Sequence, residues 1–471
     1  MYKVTKTLGL ASLSTFLLSA ANASGNLDQI LDERLKQLNV YPVTKPLKQD
    51  ANLVELGKNL FFEKEWAGRR NISCSTCHSP VLGSADAQSQ SRGQGAIGLG
   101  PHRRQNQDEF FQFLPRNTLS LWNRGVEGWD TMFWDGRLGE SSDGSFFSPA
   151  GSDTPQNFTN ALAAFSIIPV TPDEEMRGFP GQLDVFGNVN ELADPNITND
   201  DFAAIWPLVT ARITNHPGYS ELLMNAFPYT NTEDITIVEL SEALGAFMTE
   251  SFTALESDFD QYLSGDKTAM SDQQKKGAIL FYGEANCSRC HSGALQTDFG
   301  FHNIAAPQVG TGRGASADVG LDLGRGAITN RPEDNFKFRT PSLRNIELEA
   351  PYFHNGAYAN LRDAVEHHIN PLKSWLTYEN DQIEPELSEA NFATGDFTTI
   401  VEGSPLLFQK QSKFQVFQTL SKKELFEGRK SLTKQDVDDI MAFLSALTDP
   451  NSLNQLDLVP DSLPSGLTLA D

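Results

Sequence analysis

Apolar positions along this chain recur mainly at helical spacing, three or four residues apart, and no run of alternating strands stands out. The pattern predicts amphipathic helices, at about Leu27 to Leu38, Ile235 to Leu263, Asn360 to His368 and Val437 to Leu447. Irregular stretches, the first two rich in Gly and Ser, predict long loops over 79–112, 138–158 and 372–412. The sequence therefore predicts a mainly α fold with long loops.

The four cysteines all fall in two pentapeptides of the form Cys-x-x-Cys-His, which are Cys74-Ser75-Thr76-Cys77-His78 and Cys287-Ser288-Arg289-Cys290-His291. This spacing is the attachment signature of c-type haem, in which two thioethers hold the porphyrin and the histidine binds the iron. A thioredoxin-like motif needs no histidine, and a zinc site would make the repeated histidine a coincidence. A disulfide framework suits a shorter, cysteine-richer chain. We predict two covalent haems, with His78 and His291 as proximal ligands.

A second repeat accompanies the haem motifs. The segment Gly-x-x-Leu-Phe occurs at Gly57–Phe61 and again at Gly277–Phe281, upstream of each pentapeptide. It predicts a helix against the haem edge in each of two cytochrome-c-like units. We place these units at 24–264 and 265–449, and we expect the tail, 450–471, to be disordered.

The first 23 residues have the features of a signal peptide. Lys3 and Lys6 precede an apolar run, Leu8 to Ala20, and Ala21-Asn22-Ala23 forms a cleavage site. The run is short for a membrane span, although an uncleaved anchor is the alternative. We predict export to the periplasm, where c-type haem is attached, and no membrane span in the mature protein.

The formal net charge is −24. An acidic field of this size argues against binding to nucleic acid or to anionic membranes. It favours a basic or locally positive protein partner, although solubility alone would also explain it.

Taken in order, the motifs of this chain resemble those of the bacterial di-haem cytochrome c peroxidases, the family that includes MauG. Besides the two pentapeptides, the shared motifs are Pro115-Arg116-Asn117, Phe133-Trp134-Asp135-Gly136-Arg137, Glu175-Met176, Arg339-Thr340-Pro341-Ser342-Leu343-Arg344-Asn345 and Pro351-Tyr352-Phe353-His354-Asn355-Gly356. The resemblance implies two cytochrome-c-like helical domains with one haem each and a calcium ion between them. It also implies reaction with hydrogen peroxide.

By the same resemblance, Trp134 is the tryptophan that conducts electrons between the haems, unless it is a buried core aromatic. Glu175 is the distal acid and base of the peroxide-binding haem, with the adjacent Glu174 as the alternative. The family often has a glutamine ten residues before this glutamate, where this chain has Phe165. We therefore expect a drier distal pocket.

The resemblance also implies the calcium ligands. Asn117 falls on the asparagine that supports the ion, and the backbone carbonyls of Glu349 and Pro351 fall on its other protein ligands. Calcium accepts such oxygen atoms readily. A simple turn cap is the alternative for Asn117.

The second axial ligand of the C-terminal haem is a methionine in the peroxidases and a tyrosine in MauG, but no methionine occurs here between Met270 and Met441. On the predicted helix, His368 shares one face with three apolar residues, which are Leu361, Ala364 and Val365. We predict that His368 is this ligand and that His367 pairs with Asp363. The alternatives are that His367 or Tyr358 is the ligand, or that His368 is a core histidine that binds no iron. His354 is expected near the haem edge.

Some peroxidases of this family block the first haem with a histidine in the loop that holds His102. We keep His102 as a possible ligand, with exposure on the loop as the favoured alternative. Taken together, the motifs and the resemblance predict a peroxide-dependent oxidoreductase. Its electrons come from a small redox protein, a cytochrome c or a cupredoxin, or from a protein substrate as in MauG. A di-haem electron carrier or redox sensor without turnover is the other class.

Overall fold

The computed structural model of the protein describes residues 25–197, 201–310, 312–313, 321–384, 387 and 431–469. The predicted signal peptide, 1–23, and most of the predicted loop 372–412 lie outside these residues. Within the described part, every helix is too short or too polar to cross a membrane.

Helices dominate the described residues, so the predicted mainly α class is confirmed. The helices are α1 (25–37), α2 (Ala51–Phe62), α3 (Cys74–Cys77), α4 (Ala161–Phe165), α5 (Phe202–Thr214), α6 (Ser220–Ala226), α7 (Ile237–Ser251), α8 (Asp258–Leu263), α9 (Asp272–Phe281), α10 (Arg325–Thr329), α11 (Leu361–Ile369), α12 (Pro371–Thr377) and α13 (Lys434–Ser445). Short antiparallel strands join loops, β1 (Ala96–Ile97) with β2 (Arg104–Gln105), β3 (Thr131–Met132) with β4 (Leu138–Glu140) and β5 (Phe146–Phe147), and β6 (Phe301–His302) with β7 (Phe338–Arg339). Helix α12 occupies the start of the predicted loop 372–412, a correction to that prediction.

The repeated glycine brings two helices into close contact in each half of the chain. A Cβ atom on Gly57 of α2 would overlap the carbonyl oxygen of Ala243 in α7. A Cβ atom on Gly277 of α9 would overlap the carbonyl oxygen of Asp439 in α13 in the same way. The sequence repeat is therefore a structural one, because α2 packs on α7 as α9 packs on α13.

Two separate apolar cores form around these helix pairs, and the N-terminal helix joins the second one. Leu31 and Leu35 of α1 are buried with Phe281 of α9 and Phe443 of α13. The predicted boundary of the first unit, 24–264, is therefore wrong at its start. The connector after α1 lets the chain cross over, and the apolar side of α1 is covered by the second core instead of the first.

The C-terminal tail crosses in the opposite direction, so the prediction of a disordered tail is wrong for 450–469. Leu463 is buried in the first core. The hydroxyl of Ser465 donates to Glu63 Oε1 at 2.8 Å, and the hydroxyl of Tyr219 donates to Glu63 Oε2 at 2.7 Å. A few apolar residues are enough to order the tail, because they pack on the apolar surface of the first core and do not have to form a core of their own.

The helix predicted from Ile235 to Leu263 is broken into α7 and α8. The side-chain amide of Asn123 bonds both the N–H and the carbonyl of Ala254 between them, at 2.8 and 3.0 Å. Ser257 and Asp260 then form a capping box that starts α8. A side chain from a distant loop thus replaces the helical partners of this backbone.

Candidate haem-binding sites

The first haem motif is held by local hydrogen bonds. Ser73 and Thr76 form a capping box at the start of α3, and His78 follows the helix. The Nδ1 atom of His78 lies 3.1 Å from the carbonyl oxygen of Ser84, an acceptor, so Nδ1 carries the proton and Nε2 has the free lone pair. Burial lowers the pKa of His78 to about 4. A neutral imidazole with a free Nε2 is the form that binds iron.

Aromatic rings cover the side opposite His78. The ring centroid of Phe165 lies 6.4 Å from that of His78, and Phe133 packs on Phe165 with centroids 4.8 Å apart. The guanidinium carbon of Arg137 lies 3.5 Å from the Phe133 ring centroid. Phe165 carries no atom that could bind iron, so this ring would not serve as a second ligand of a haem held by His78. The drier distal pocket stays a prediction.

Glu175 lies in a π-helical turn, Asp173–Arg177, and its side chain is half-buried. Desolvation raises the pKa of Glu175 to about 7, although the positive charges of Arg137 and Arg313 lower it. A carboxyl with such a pKa can both release and accept a proton near neutral pH. Sequence reasoning did not single out the two arginines, although Arg137 stands in a quoted motif.

The second motif repeats the arrangement of the first. It forms a short helical turn, Cys287–Arg289, and His291 Nδ1 lies 3.0 Å from the carbonyl oxygen of Gln296. Burial lowers the pKa of His291. The Nε2 atom is therefore again the one available to a metal.

His368 of α11 faces His291 across a cavity whose wall also includes Cys287, Cys290 and Trp134. The two imidazole centroids are 6.2 Å apart. Two metal–nitrogen bonds of about 2 Å, with the offset of each nitrogen from its ring centre, require roughly 6 Å between centroids. The residues present therefore fit a haem iron between two imidazoles.

The alternatives to His368 point elsewhere. His367 is fully buried on the other side of α11, where it bonds Tyr358 and the carbonyl oxygen of Ile304. The predicted pairing of His367 with Asp363 is therefore wrong, because the packing of α11 turns this ring into the protein. Neither His367 nor Tyr358 is part of the described cavity wall.

His354 lies in the wall of the same cavity, as expected for a residue at the haem edge. Its ring stacks on Phe338 with centroids 3.4 Å apart. His302, which sequence reasoning missed, also lines the cavity and bonds Asp298 through Nε2 at 2.8 Å. The hydrogen bond to Asp298, with one to Cys290, raises the pKa of His302 to about 10. No sequence pattern joined these residues in advance.

Trp134 stands between the two sites. Its indole Nε1 donates to the carbonyl oxygen of Asn117 at 3.0 Å, and its own carbonyl oxygen accepts from the Arg339 N–H at 2.8 Å. The preceding Phe133 has φ +65°, a left-handed conformation that is rare for a bulky residue. This turn sends Phe133 to the first site and Trp134 to the second.

Arg116 joins the two halves beside Trp134. Its guanidinium lies 2.7 Å from Asp135 of the first half and 2.7 Å from Asp322 of the second. Burial alone would raise the pKa of Asp135, but Arg116 and then Arg137 hold it well below its usual range. The ionised pair fixes the loop that carries the tryptophan.

The predicted calcium residues line one small cavity between the halves. Asn117, Glu349 and Pro351 all contribute to its wall, as do Trp134 and Arg124. The oxygen atoms of the first three residues suit calcium. Desolvation raises the pKa of the Glu349 carboxyl to about 7, with the Arg124 charge opposing it. These residues would supply oxygen ligands to a calcium ion, and the Glu349 carboxylate would balance the charge of the nearby Arg124 guanidinium.

His102 lies on an exposed turn, Gly100–His102. This placement matches the favoured alternative and gives no support to His102 as an iron ligand. The neighbouring Arg103 is buried and donates to the carbonyl oxygens of Arg92 and Gly93. The turn is therefore anchored by the arginine and not by the histidine.

Two haem motifs on two helical units define a c-type di-haem protein. The chain matches the family model described as di-haem cytochrome c peroxidase over residues 51–268. It is 29% identical over 371 residues to methylamine utilization protein MauG of Methylorubrum extorquens, covering 78% of this chain and 81% of that protein. It is 28% identical over 372 residues to cytochrome c551 peroxidase of Pseudomonas aeruginosa, covering 76% and 84%.

The fold resembles the crystal structure of the dihaem peroxidase BthA from Burkholderia thailandensis. The TM-score is 0.53 at 20% identity, covering 88% of this chain and 93% of that one. The resemblance stated from the motifs is confirmed. The chain is a peroxidase-like oxidoreductase similar to the di-haem cytochrome c peroxidases and to MauG, and this similarity implies covalently bound c-type haems.

Proposed function

We propose that this protein is a periplasmic oxidoreductase that reacts with hydrogen peroxide at the N-terminal haem and oxidises a protein partner. When bound, each haem supplies an iron that can exchange electrons, and the first offers a position for peroxide. The observation that carries the proposal is the pair Phe133 and Trp134. Consecutive side chains face the two sites, so an electron has a short path between them.

Glu175 moves the proton in this reaction. Its carboxylate accepts a proton from the peroxide oxygen nearer to His78 and delivers it to the departing oxygen, which leaves as water. The raised pKa of Glu175, about 7, supports this exchange. The positive charge of Arg137 favours the carboxylate form of Glu175.

At the second site, His291 and His368 would hold the haem iron. Two imidazoles give a lower potential than imidazole with methionine. The second haem would therefore share the oxidising equivalents with the first haem through Trp134. It would not serve only as the point where electrons from a donor enter the protein. His354 would support the haem edge without binding the iron.

The electrons that complete the cycle come from outside. A small redox protein, a cytochrome c or a cupredoxin, would make the reaction a peroxidase cycle, and oxidation of a protein substrate would be MauG-like. The bis-histidine site and Phe165 favour the second. The net charge of −24 favours a partner with a basic face. A calcium ion held by Asn117, Glu349 and Pro351 would stabilise the junction between the two halves.

Low-temperature EPR of the diferric protein, repeated after one equivalent of peroxide, tests the proposal. We expect a high-spin signal and a bis-histidine low-spin signal, and both should be lost together. In the Trp134→Phe variant, peroxide should remove the high-spin signal and leave most of the low-spin one. Two low-spin signals that peroxide does not change would contradict the proposal and favour an electron carrier or sensor.

A further inference from the structure

Tyr358 and His367 form a buried hydrogen-bonded pair behind the second haem cavity, and the proposed function uses neither side chain. Tyr358 is 3% exposed and His367 is 0% exposed. The phenolic oxygen lies 2.9 Å from His367 Nδ1. His367 Nε2 lies 2.8 Å from the carbonyl oxygen of Ile304, which can only accept, so Nε2 carries the ring proton. The phenol therefore donates its proton to Nδ1.

Ser374 completes the surroundings of the phenol. Its hydroxyl oxygen lies 2.6 Å from the Tyr358 oxygen. Because the single phenolic proton is directed to His367, Ser374 donates to the phenolic oxygen. The phenol thus has a partner for both its proton and its oxygen, and a base is already aligned on its O–H.

One aromatic ring links this pair to the haem site. The ring centroid of Phe353 lies 5.4 Å from that of His368 and 5.0 Å from that of Tyr358. Phe353 is also part of the cavity wall. An electron leaving Tyr358 would therefore cross a single ring in contact with the predicted iron ligand.

We propose that Tyr358 is a redox-active residue that stores one oxidising equivalent beside the second haem. It loses one electron toward that haem, its O–H bond breaks, and an N–H bond forms at His367 Nδ1. The products are a neutral tyrosyl radical and a protonated imidazole. This electron consumes one of the two oxidising equivalents that hydrogen peroxide introduces at the haems. The inference therefore rests on the proposed function. An electron from the protein partner then reverses both transfers.

The geometry lowers the barrier to this step. A phenol that loses an electron becomes a strong acid, and a base within 2.6–3.2 Å can take its proton in the same event. The positive charge then lies on His367, whose Nε2–H bond to the Ile304 carbonyl becomes charge-assisted and stronger.

Tyr378 offers a matched control. Its ring centroid lies 5.4 Å from that of Tyr358, and it is also buried. Its hydroxyl, however, donates to the carbonyl oxygen of Ala357 at 2.7 Å. A backbone carbonyl cannot take up a proton at neutral pH, so Tyr378 has the same surroundings without the base.

The test is EPR of the full di-haem protein, frozen rapidly after one equivalent of hydrogen peroxide. We expect an organic radical whose hyperfine pattern narrows when tyrosine is ring-deuterated. Tyr358→Phe should abolish it, His367→Phe should lower its yield at least tenfold, and Tyr378→Phe should retain it. Thermal unfolding of each variant checks that the fold is intact. Two outcomes would overturn this inference and leave the proposed function standing. One is a radical that persists in Tyr358→Phe, and the other is the absence of a radical while peroxide still changes the haem signals.

Loss of the proposed function would look different. If peroxide leaves both haem signals unchanged, a photogenerated ruthenium(III) oxidant can be applied to the same protein and the same three variants. A tyrosyl radical that depends on Tyr358 and His367 would then support the redox role without peroxide chemistry. An equal yield from Tyr358→Phe would refute it.

Discussion

Replacing Glu175 by glutamine separates its role in proton transfer from its effect on stability. Desolvation raises the pKa of Glu175 from 4.5 to about 7. Between these values the unfolded chain has released the proton and the folded protein still holds it, so stability falls as pH rises. One pKa unit corresponds to about 1.4 kcal/mol, so ionised Glu175 costs at most about 3 kcal/mol above pH 7. Contact of the half-buried side chain with solvent reduces this figure.

Glu175→Gln cannot ionise and should therefore be more stable than the wild type. The expected gain is at most about 2 kcal/mol at pH 6 and about 3 kcal/mol at pH 8. The rate of reaction with peroxide should fall by about 10²–10⁴-fold, because the base is lost. In the wild type this rate should rise about tenfold from pH 6 to pH 8, as the ionised fraction of a carboxyl with a pKa of about 7 rises.

Urea unfolding at both pH values and stopped-flow mixing with peroxide measure the two effects. Glu174→Gln is the matched control, since it removes the neighbouring carboxyl and should retain most of the activity. A merely structural role for Glu175 would lower stability and rate together. A variant that is less stable than the wild type at pH 8, or a rate that does not change with pH, would refute the reasoning.

Three further predictions follow from other parts of the structure. Gly277→Ala should lower the free energy of unfolding by about 1–3 kcal/mol or more, because its Cβ would overlap the backbone of α13. The control Lys276→Ala, at an exposed position of the same helix, should change it by less than about 0.5 kcal/mol. Equal unfolding curves for the two variants would contradict this prediction. His368→Gly should abolish the bis-histidine EPR signal while His102→Gly leaves both haem signals intact, and the reverse pattern would exchange their roles. Deletion of 450–471 should destabilise the first core by about 2 kcal/mol or more, since a buried leucine is lost, and an unchanged thermal transition would show that the tail is dispensable.

The motifs allowed most of the candidate site to be found before the fold was known. The two pentapeptides carry their chemistry within five residues, so no tertiary contact was needed to expect haem. The helical spacing of His368 with apolar residues predicted that it faces inward, and it does face His291. Spacing did not reveal where His367 goes, because a ring outside the apolar stripe can still be covered by another segment.

By itself, the sequence determined the haem motifs, the mainly α fold and the absence of a methionine between Met270 and Met441. These features depend on covalent chemistry or on neighbours within a few residues, which local sequence encodes. Only the tertiary structure decided that α1 and the tail exchange cores, that Asn123 breaks a helix, and that Tyr358 meets His367. Each of these depends on how elements pack against one another, where the burial of apolar surface and the satisfaction of buried hydrogen bonds outweigh local preference.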